Sequence, residues 1–279
     1  MDVYLNGAFM ARDKASVSVL DRGFLLGDGI YEVIPAYKGR LFRLNEHLQR
    51  LQNNLDAVGM RNPLDEKKWS EVLNELVQRN GEGDLSVYLQ ITRGVAERDH
   101  AFPIGVEPTM FAMATPITPL PDKVYREGVA AAVYDDDRWR HCDIKSISLL
   151  ANVLLRQRAL EAGFAEAILI RDGLVTEGAA SNVFIVSQGE VYTPVQTPFL
   201  LPGITRDLVV ELLEKAGVPC HQESITKERL FAADEVWLSS STKEVVPVTR
   251  LDNILVGSGL PGEVWKKVIE LYRNYKRAL

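Results

Sequence analysis

The stretch Pro116-Ile-Thr-Pro119-Leu-Pro121 constrains this 279-residue chain more than any other feature. Its prolines leave no helix or strand ladder to continue, so the chain is expected to divide there into two domains, 1–120 and 121–279. Each piece is long enough to bury its own core. Ahead of the break, Val3-Tyr4-Leu5 and Ala8-Phe9-Met10 flank Asn6-Gly7, the signature of a tight hairpin. Leu44, Leu48, Leu51, Leu55 and Val58 recur at helical spacing up to Gly59, and Trp69 to Val77 forms a second helical run ending at Asn80-Gly81. From Asp84 to Arg93 the period changes to two, which predicts a strand. Beyond the break, strands are expected at Val129–Tyr134, Ala167–Ile170, Val183–Val186, Val191–Thr193 and Glu235–Ser239. Helices are expected at Leu149–Ala162, Thr205–Ala216 and Glu263–Leu279. Hairpins mixed with helices predict two α+β domains with a site in the cleft.

Composition narrows the function. Hydrophobic and charged residues make up 46% and 25% of the chain, the proportions of a globular protein, and the net charge of −6 disfavours a nucleic-acid partner. No apolar run approaches the ~20 residues of a membrane span, and the start Met-Asp-Val-Tyr-Leu lacks a secretory leader, so a cytoplasmic location is expected. Cys142 and Cys220 with His47, His100, His141 and His221 make neither a disulfide framework nor a zinc pattern, and no metal is expected. Gly27-Asp-Gly29 lacks the third glycine of a dinucleotide loop, and Gly257-Ser-Gly259 has the wrong spacing for a nucleophile elbow.

Several segments suit a phosphate. Gly203-Ile204-Thr205-Arg206 opens a predicted helix, whose unsatisfied N–H groups and dipole favour an anion, and Thr205 adds a hydroxyl. Ser239-Ser240-Ser241-Thr242 offers further hydroxyls after a predicted strand. Arg50 shares a helical face with Arg43 and His47 and can complete the pocket. Alone, each has a plainer explanation: a serine turn, a helix cap, a solvated basic stripe.

Five blocks together say more. They are Gly27-Asp-Gly-Ile-Tyr31-Glu-Val33, Arg138-Trp139 to Asp143-Ile-Lys145-Ser146, Glu177-Gly-Ala-Ala-Ser181-Asn-Val-Phe184, Val191-Tyr-Thr193 and Leu201-Pro-Gly203-Ile-Thr-Arg206. In them the chain resembles, over essentially its whole length, the fold type IV (class IV) pyridoxal-phosphate enzymes. The resemblance implies a smaller N-terminal α/β domain, a larger C-terminal mixed-sheet, barrel-like domain, and pyridoxal 5′-phosphate between them. It assigns the Schiff base to Lys145, the ring-nitrogen carboxylate to Glu177, and cofactor contacts to Arg50, Ser181, Ile204, Thr205, Ser240 and Ser241. A primary amine is needed to condense with an aldehyde and then carry a proton, and a carboxylate is needed to keep the pyridine nitrogen protonated.

Within that family, Tyr31-Glu32-Val33 and Thr92-Arg-Gly to Arg98-Asp-His100-Ala-Phe-Pro103 look like the D-amino-acid aminotransferases. The resemblance implies that Tyr31, Val33, Arg98 and His100 bind substrate, with Arg98, His100 and Tyr31 trapping its α-carboxylate. Asp99, charged, can pair with Arg98. The expected activity moves an amino group from a D-amino acid such as D-alanine to 2-oxoglutarate by a ping-pong cycle. A homodimer is implied, in which the trap loop serves the neighbouring subunit. A branched-chain L-amino-acid aminotransferase, an aminodeoxychorismate lyase and a non-catalytic phosphate binder are the alternatives.

Overall fold

The computed structural model describes residues 1–81 and 83–279. The chain forms two compact units: Met1–Thr118 with Ile144–Leu149 and Leu279, and Pro119–Asp143 with Leu150–Ala278. The boundary at 118/119 lies inside the proline stretch, although Pro116 itself still pairs with Leu85 as the last residue of a strand. A proline is tolerated at a strand end, where a missing N–H costs least.

The first unit comprises β1 (Asp2–Leu5), β2 (Ala8–Ala11), α1 (Arg22–Leu26), β3 (Gly29–Tyr37), β4 (Arg40–Leu41), α2 (Leu44–Ala57), α3 (Glu66–Asn80), β5 (Leu85–Thr92) and β6 (Thr109–Pro116). Its antiparallel sheet runs β2-β1-β6-β5-β3-β4. Asn6 and Gly7 take φ of 46° and 96°, the left-handed pair that a tight hairpin demands. One face of the sheet packs Ile30, Ile34, Val87, Leu89 and Ile91 against Leu48, Leu51 and Leu55 of α2 and Trp69, Leu73 and Leu76 of α3. Alternation along β3 leaves Tyr31 and Val33 half-buried on the opposite face, and puts Glu32 on the core side.

The second unit comprises α4 (Asp122–Glu127), β7 (Val129–Asp135), α5 (Leu150–Glu161), β8 (Glu166–Arg171), β9 (Leu174–Gly178), β10 (Asn182–Ser187), β11 (Glu190–Thr193), α6 (Ile204–Lys215), β12 (Cys220–Gln222), α7 (Lys227–Phe231), β13 (Glu235–Ser240), β14 (Glu244–Leu251), β15 (Ile254–Leu255) and α8 (Glu263–Arg277). Its sheet runs β12-β11-β10-β13-β14-β7-β8-β9, with β15 on β14. Only residues 179–181 join β9 at one end of that order to β10, third from the other end, and Gly178 N–H donates to Ser181 O at 2.6 Å. The sheet therefore curls back on itself. Its interior is filled by Ile168, Val183, Ile185, Val236, Leu238 and Val248.

Candidate active site

The two units each hold a constellation of functional side chains. In the first, Lys145 follows Ile144, which packs against the core. Its backbone is pinned by Tyr31 N–H donating to Lys145 O at 3.0 Å and by an Ile30–Ser146 bridge. The Nζ stands 4.2 Å from the centroid of the Tyr31 ring, in the range of a cation–π contact. Lys145 N–H reaches Asn54 Oδ1 at 3.4 Å, and the Asn54 Nδ2, itself buried, has no hydrogen-bond partner.

Beneath this strand, Glu32 is fully buried and gripped from α2. Arg50 donates Nε and Nη2 to its two oxygens at 2.8 and 2.7 Å, and His47 Nδ1 lies 2.8 Å from Oε2. Burial works to raise the Glu32 carboxyl, but Arg50 and His47 outweigh it and hold it well below the usual carboxylate range. Burial also lowers His47, so its neutral form donates Nδ1–H to Glu32. Arg50 thus has two of its three nitrogens on Glu32. Glu32 and His47 escaped the sequence reading as site residues, since a strand residue and a helix turn meet only through tertiary packing.

Val33 lies on the same open face as Tyr31, and Tyr31 stacks on Tyr88 with centroids 5.6 Å apart. Burial pushes the Tyr88 hydroxyl up to about 12, and it donates to Gln90 Oε1 at 2.7 Å. Arg98 and His100 sit exposed on the loop between β5 and β6, with no hydrogen bond or ion pair among the described residues. The loop itself is held. Arg22 Nη1 donates to Asp99 O at 2.6 Å and Ala101 O at 3.2 Å, and the Arg93 guanidinium lies 3.7 Å from the Phe102 centroid. The Asp99 carboxylate accepts from Ala101 N–H at 3.3 Å, so the anticipated pair with Arg98 does not form.

In the second unit Glu177 is buried, 6% exposed. Arg138 Nη1 donates to its Oε1 at 2.6 Å and Leu201 N–H to its Oε2 at 3.0 Å. Burial pushes the Glu177 carboxyl up, against the pull of Arg138 and the Leu201 amide. Ile204 and Thr205 are buried in the first turn of α6, whose N-cap is Gly203 with no side-chain cap. A Cβ on Gly203 would stand 1.9 Å from Asn182 Oδ1. Ser240 ends β13 and Ser241 follows it, both half-buried, while the buried Ser239 Oγ has no partner. Ser181 is half-buried, its hydroxyl 3.4 Å from Glu166 Oε2. Arg138 stands at the head of one of the five blocks but has no role assigned from sequence, and Asp136 has none; their spacing of two just beyond a strand is the signal that links them.

These donors suit pyridoxal phosphate. A primary amine answers an aldehyde, a buried carboxylate answers a protonated ring nitrogen, and an uncapped helix start with nearby hydroxyls answers a phosphate. The unpartnered Asn54 Nδ2 and Ser239 Oγ are polar atoms a ligand can satisfy. Among the described residues, no group of His, Cys, Asp and Glu has the arrangement of a metal site, and no helix is long and apolar enough to cross a membrane.

Comparison with known proteins agrees with this chemistry. Residues 29–251 match the amino-transferase class IV family. The chain is similar to a D-alanine aminotransferase of Bacillus licheniformis, 44% identical over 98% of this chain and 96% of the relative. A D-alanine aminotransferase of Staphylococcus epidermidis is 38% identical over 98% and 97%. Among solved structures, the branched-chain aminotransferase of the thermophilic archaeon Thermoproteus uzoniensis with norvaline superposes with a TM-score of 0.88 at 29% identity, covering 98% of this chain and 94% of that one.

Proposed function

We propose, for a chain that belongs to the class IV aminotransferases and has their fold type IV architecture, that it transfers the amino group of a D-amino acid such as D-alanine to 2-oxoglutarate. The enzyme uses pyridoxal 5′-phosphate, and its substrates are amino acids and 2-oxo acids. What carries the reading is Lys145, a primary amine packed over an aromatic face in the unit that holds the Glu32–Arg50–His47 cluster. Similarity to D-alanine aminotransferases along nearly the whole chain supports the D-amino-acid substrate.

When bound, the cofactor supplies an aldehyde that exchanges amines and a ring that delocalises the charge left at the substrate Cα. Lys145 is the amine that holds the cofactor and, once released, carries the Cα proton. Tyr31 positions the Lys145 Nζ from below, and the neutral His47 leaves Glu32 and Arg50 as the buried charges of that cluster. Glu177 partners the ring nitrogen. Arg50, Ser181, Ile204, Thr205, Ser240 and Ser241 hold the rest of the cofactor, chiefly its phosphate. Val33 lines the substrate's place, and Tyr31, Arg98 and His100 take the α-carboxylate, Arg98 through its two-pronged guanidinium.

The chain works as a cytoplasmic homodimer in which the Arg98–His100 loop serves the partner's site. Exposed apolar side chains support an interface: Val19 and Phe24 are 70% and 72% exposed around α1, and Leu150 and Leu154 of α5 are 72% and 60% exposed. Phe24 also lines a cavity of about 410 Å³ together with Leu5, Val17, Phe111 and Ile147.

A second reading, a branched-chain L-amino-acid aminotransferase, has the solved Thermoproteus uzoniensis structure in its favour. The deciding assay offers D-alanine and L-leucine separately with 2-oxoglutarate. Turnover of D-alanine is expected; turnover of L-leucine alone would move the chain to the second reading.

A further inference from the structure

We infer that Asp136 is a positioning residue for this reaction, fixing the orientation and balancing the charge of Arg138 so that Glu177 stays free to share a proton with the cofactor's ring nitrogen. The inference rests on the reading of Glu177 given above and adds a residue to it.

Asp136 follows the last residue of β7, and its N–H donates to Ile170 O at 2.7 Å, which fixes its backbone against the end of β8. Its carboxylate is fully buried. Arg138 delivers Nε to Oδ1 and Nη2 to Oδ2, both at 2.9 Å, the parallel two-bond geometry that sets the plane of a guanidinium. Thr176 Oγ1 donates to Oδ2 at 2.9 Å, and Arg171 Nη2 lies 3.0 Å from Oδ1. Because Asp136 takes two of the three Arg138 nitrogens, Nη1 alone is left for Glu177, and it makes a single bond at 2.6 Å. The remaining Glu177 oxygen accepts from a backbone amide.

The charges balance in the same way. Asp136 and Glu177 oppose Arg138 and Arg171, so the ionised cluster sums to zero. Burial works to raise Asp136, yet the Arg138 hydrogen bonds outweigh it and keep the carboxyl below its ordinary range. With a neutral side chain at 136, the surroundings of Glu177 gain a net positive charge. Arg138 is then also released to close both prongs on Glu177. Both changes hold the Glu177 lone pairs away from a neighbouring proton. A buried ion cluster is a weak source of stability compared with apolar packing, whereas its ability to tune a buried carboxylate is specific.

The test compares holoenzymes carrying isotopically labelled cofactor by the NMR shift of the ring nitrogen, with kcat and KM measured in parallel. Asp136→Asn is expected to move the ring-nitrogen signal toward that of an unprotonated pyridine. It should lower kcat about ten-fold, as loss of an outer support does elsewhere, with little change in the KM for the amino donor. Asp136→Glu should recover part of both. Thr176→Val, which removes one hydroxyl from the Asp136 carboxylate, should shift the signal the same way by less; it decides the matter if Asp136→Asn loses its fold or its cofactor. Glu177→Gln separates the two claims. If it leaves the signal unmoved, the reading of Glu177 fails and the inference with it. If it moves the signal while the Asp136 and Thr176 variants match the wild type, the role of Asp136 alone is overturned.

Discussion

Glu32 shows how far a single side chain can be committed to its surroundings. With no exposed surface, it is tolerable as an ion only because Arg50 and His47 meet both of its oxygens. Removing it takes away the carboxylate on which the Nε and Nη2 of Arg50, 7% exposed, are seated, and so breaks a buried ion pair. Glu32→Ala is therefore expected to cost about 3 kcal/mol or more of folding stability, read from urea denaturation midpoints near neutral pH. The pH dependence follows from the sign of the shift. A carboxyl lowered on folding adds stability that is full above its unfolded value, about 4.3 for Glu, and is lost as pH falls from there toward the folded value. The gap in stability between wild type and Glu32→Gln should consequently narrow as acid is added below that point; a gap that stays constant would mean that Glu32 does not titrate with folding. Lys145→Ala probes the chemistry instead: turnover and the colour of the bound cofactor should both be lost, and an enzyme retaining normal activity would remove Lys145 from the mechanism.

At the scale of elements, two helix starts of similar appearance should respond differently. The N-cap of α3 is Asp65, exposed, whose carboxylate accepts Lys68 N–H at 2.7 Å. Asp65→Ala should cost about 1 kcal/mol of stability in urea titrations and leave activity unchanged. The N-cap of α6 is Gly203, where an added methyl meets Asn182 Oδ1, and Asn182 Nδ2 donates to Leu201 O at 2.9 Å. Leu201 in turn gives its N–H to Glu177. Gly203→Ala should thus disturb the cofactor's anchors and weaken pyridoxal phosphate binding about ten-fold, equivalent to about 1.4 kcal/mol, in an equilibrium dialysis of the folded protein. Both helices were legible in the sequence, as were the hairpin at Asn6-Gly7 and the strand of β5, because their patterns are local. β6 was not: Thr109-Met-Phe-Ala-Met-Ala-Thr-Pro116 is rich in helix formers and becomes a strand because β1 and β5 flank it. β14 carries Pro247, which argues against an inner strand, yet pairing with β7 begins only at Val248, so the missing N–H falls beyond that ladder. Among the candidate site residues, Lys145 and Glu177 were legible only through the surrounding blocks. The grip of Arg50 on Glu32 and of Asp136 on Arg138 required the folded chain, since nothing local distinguishes a buried ion pair from a solvated one.

For the whole molecule, the telling feature is that Arg98 and His100 are exposed in a single chain although the loop that carries them is firmly tied through Arg22 and Arg93. An ordered loop presenting two donors that have no partner among the described residues is what a site completed by a second subunit requires. Such sharing can be separated from a loop that serves its own chain by mixing two variants, each nearly inactive when the amino donor is held well below its KM. Lys145→Ala lacks the proposed catalytic amine but keeps Arg98; Arg98→Ala keeps the amine but lacks the proposed clamp, and should raise the KM for the amino donor by about 2 kcal/mol in binding terms. After subunit exchange, half of the dimers are mixed if association is random. If the loop is shared, in each of these the Arg98→Ala subunit has an intact Lys145 and receives Arg98 from its partner, so one site of two is complete and roughly a quarter of wild-type activity should return. Were the loop to serve its own chain, no mixed dimer would hold a complete site, and the mixture would show only the average of its two parents.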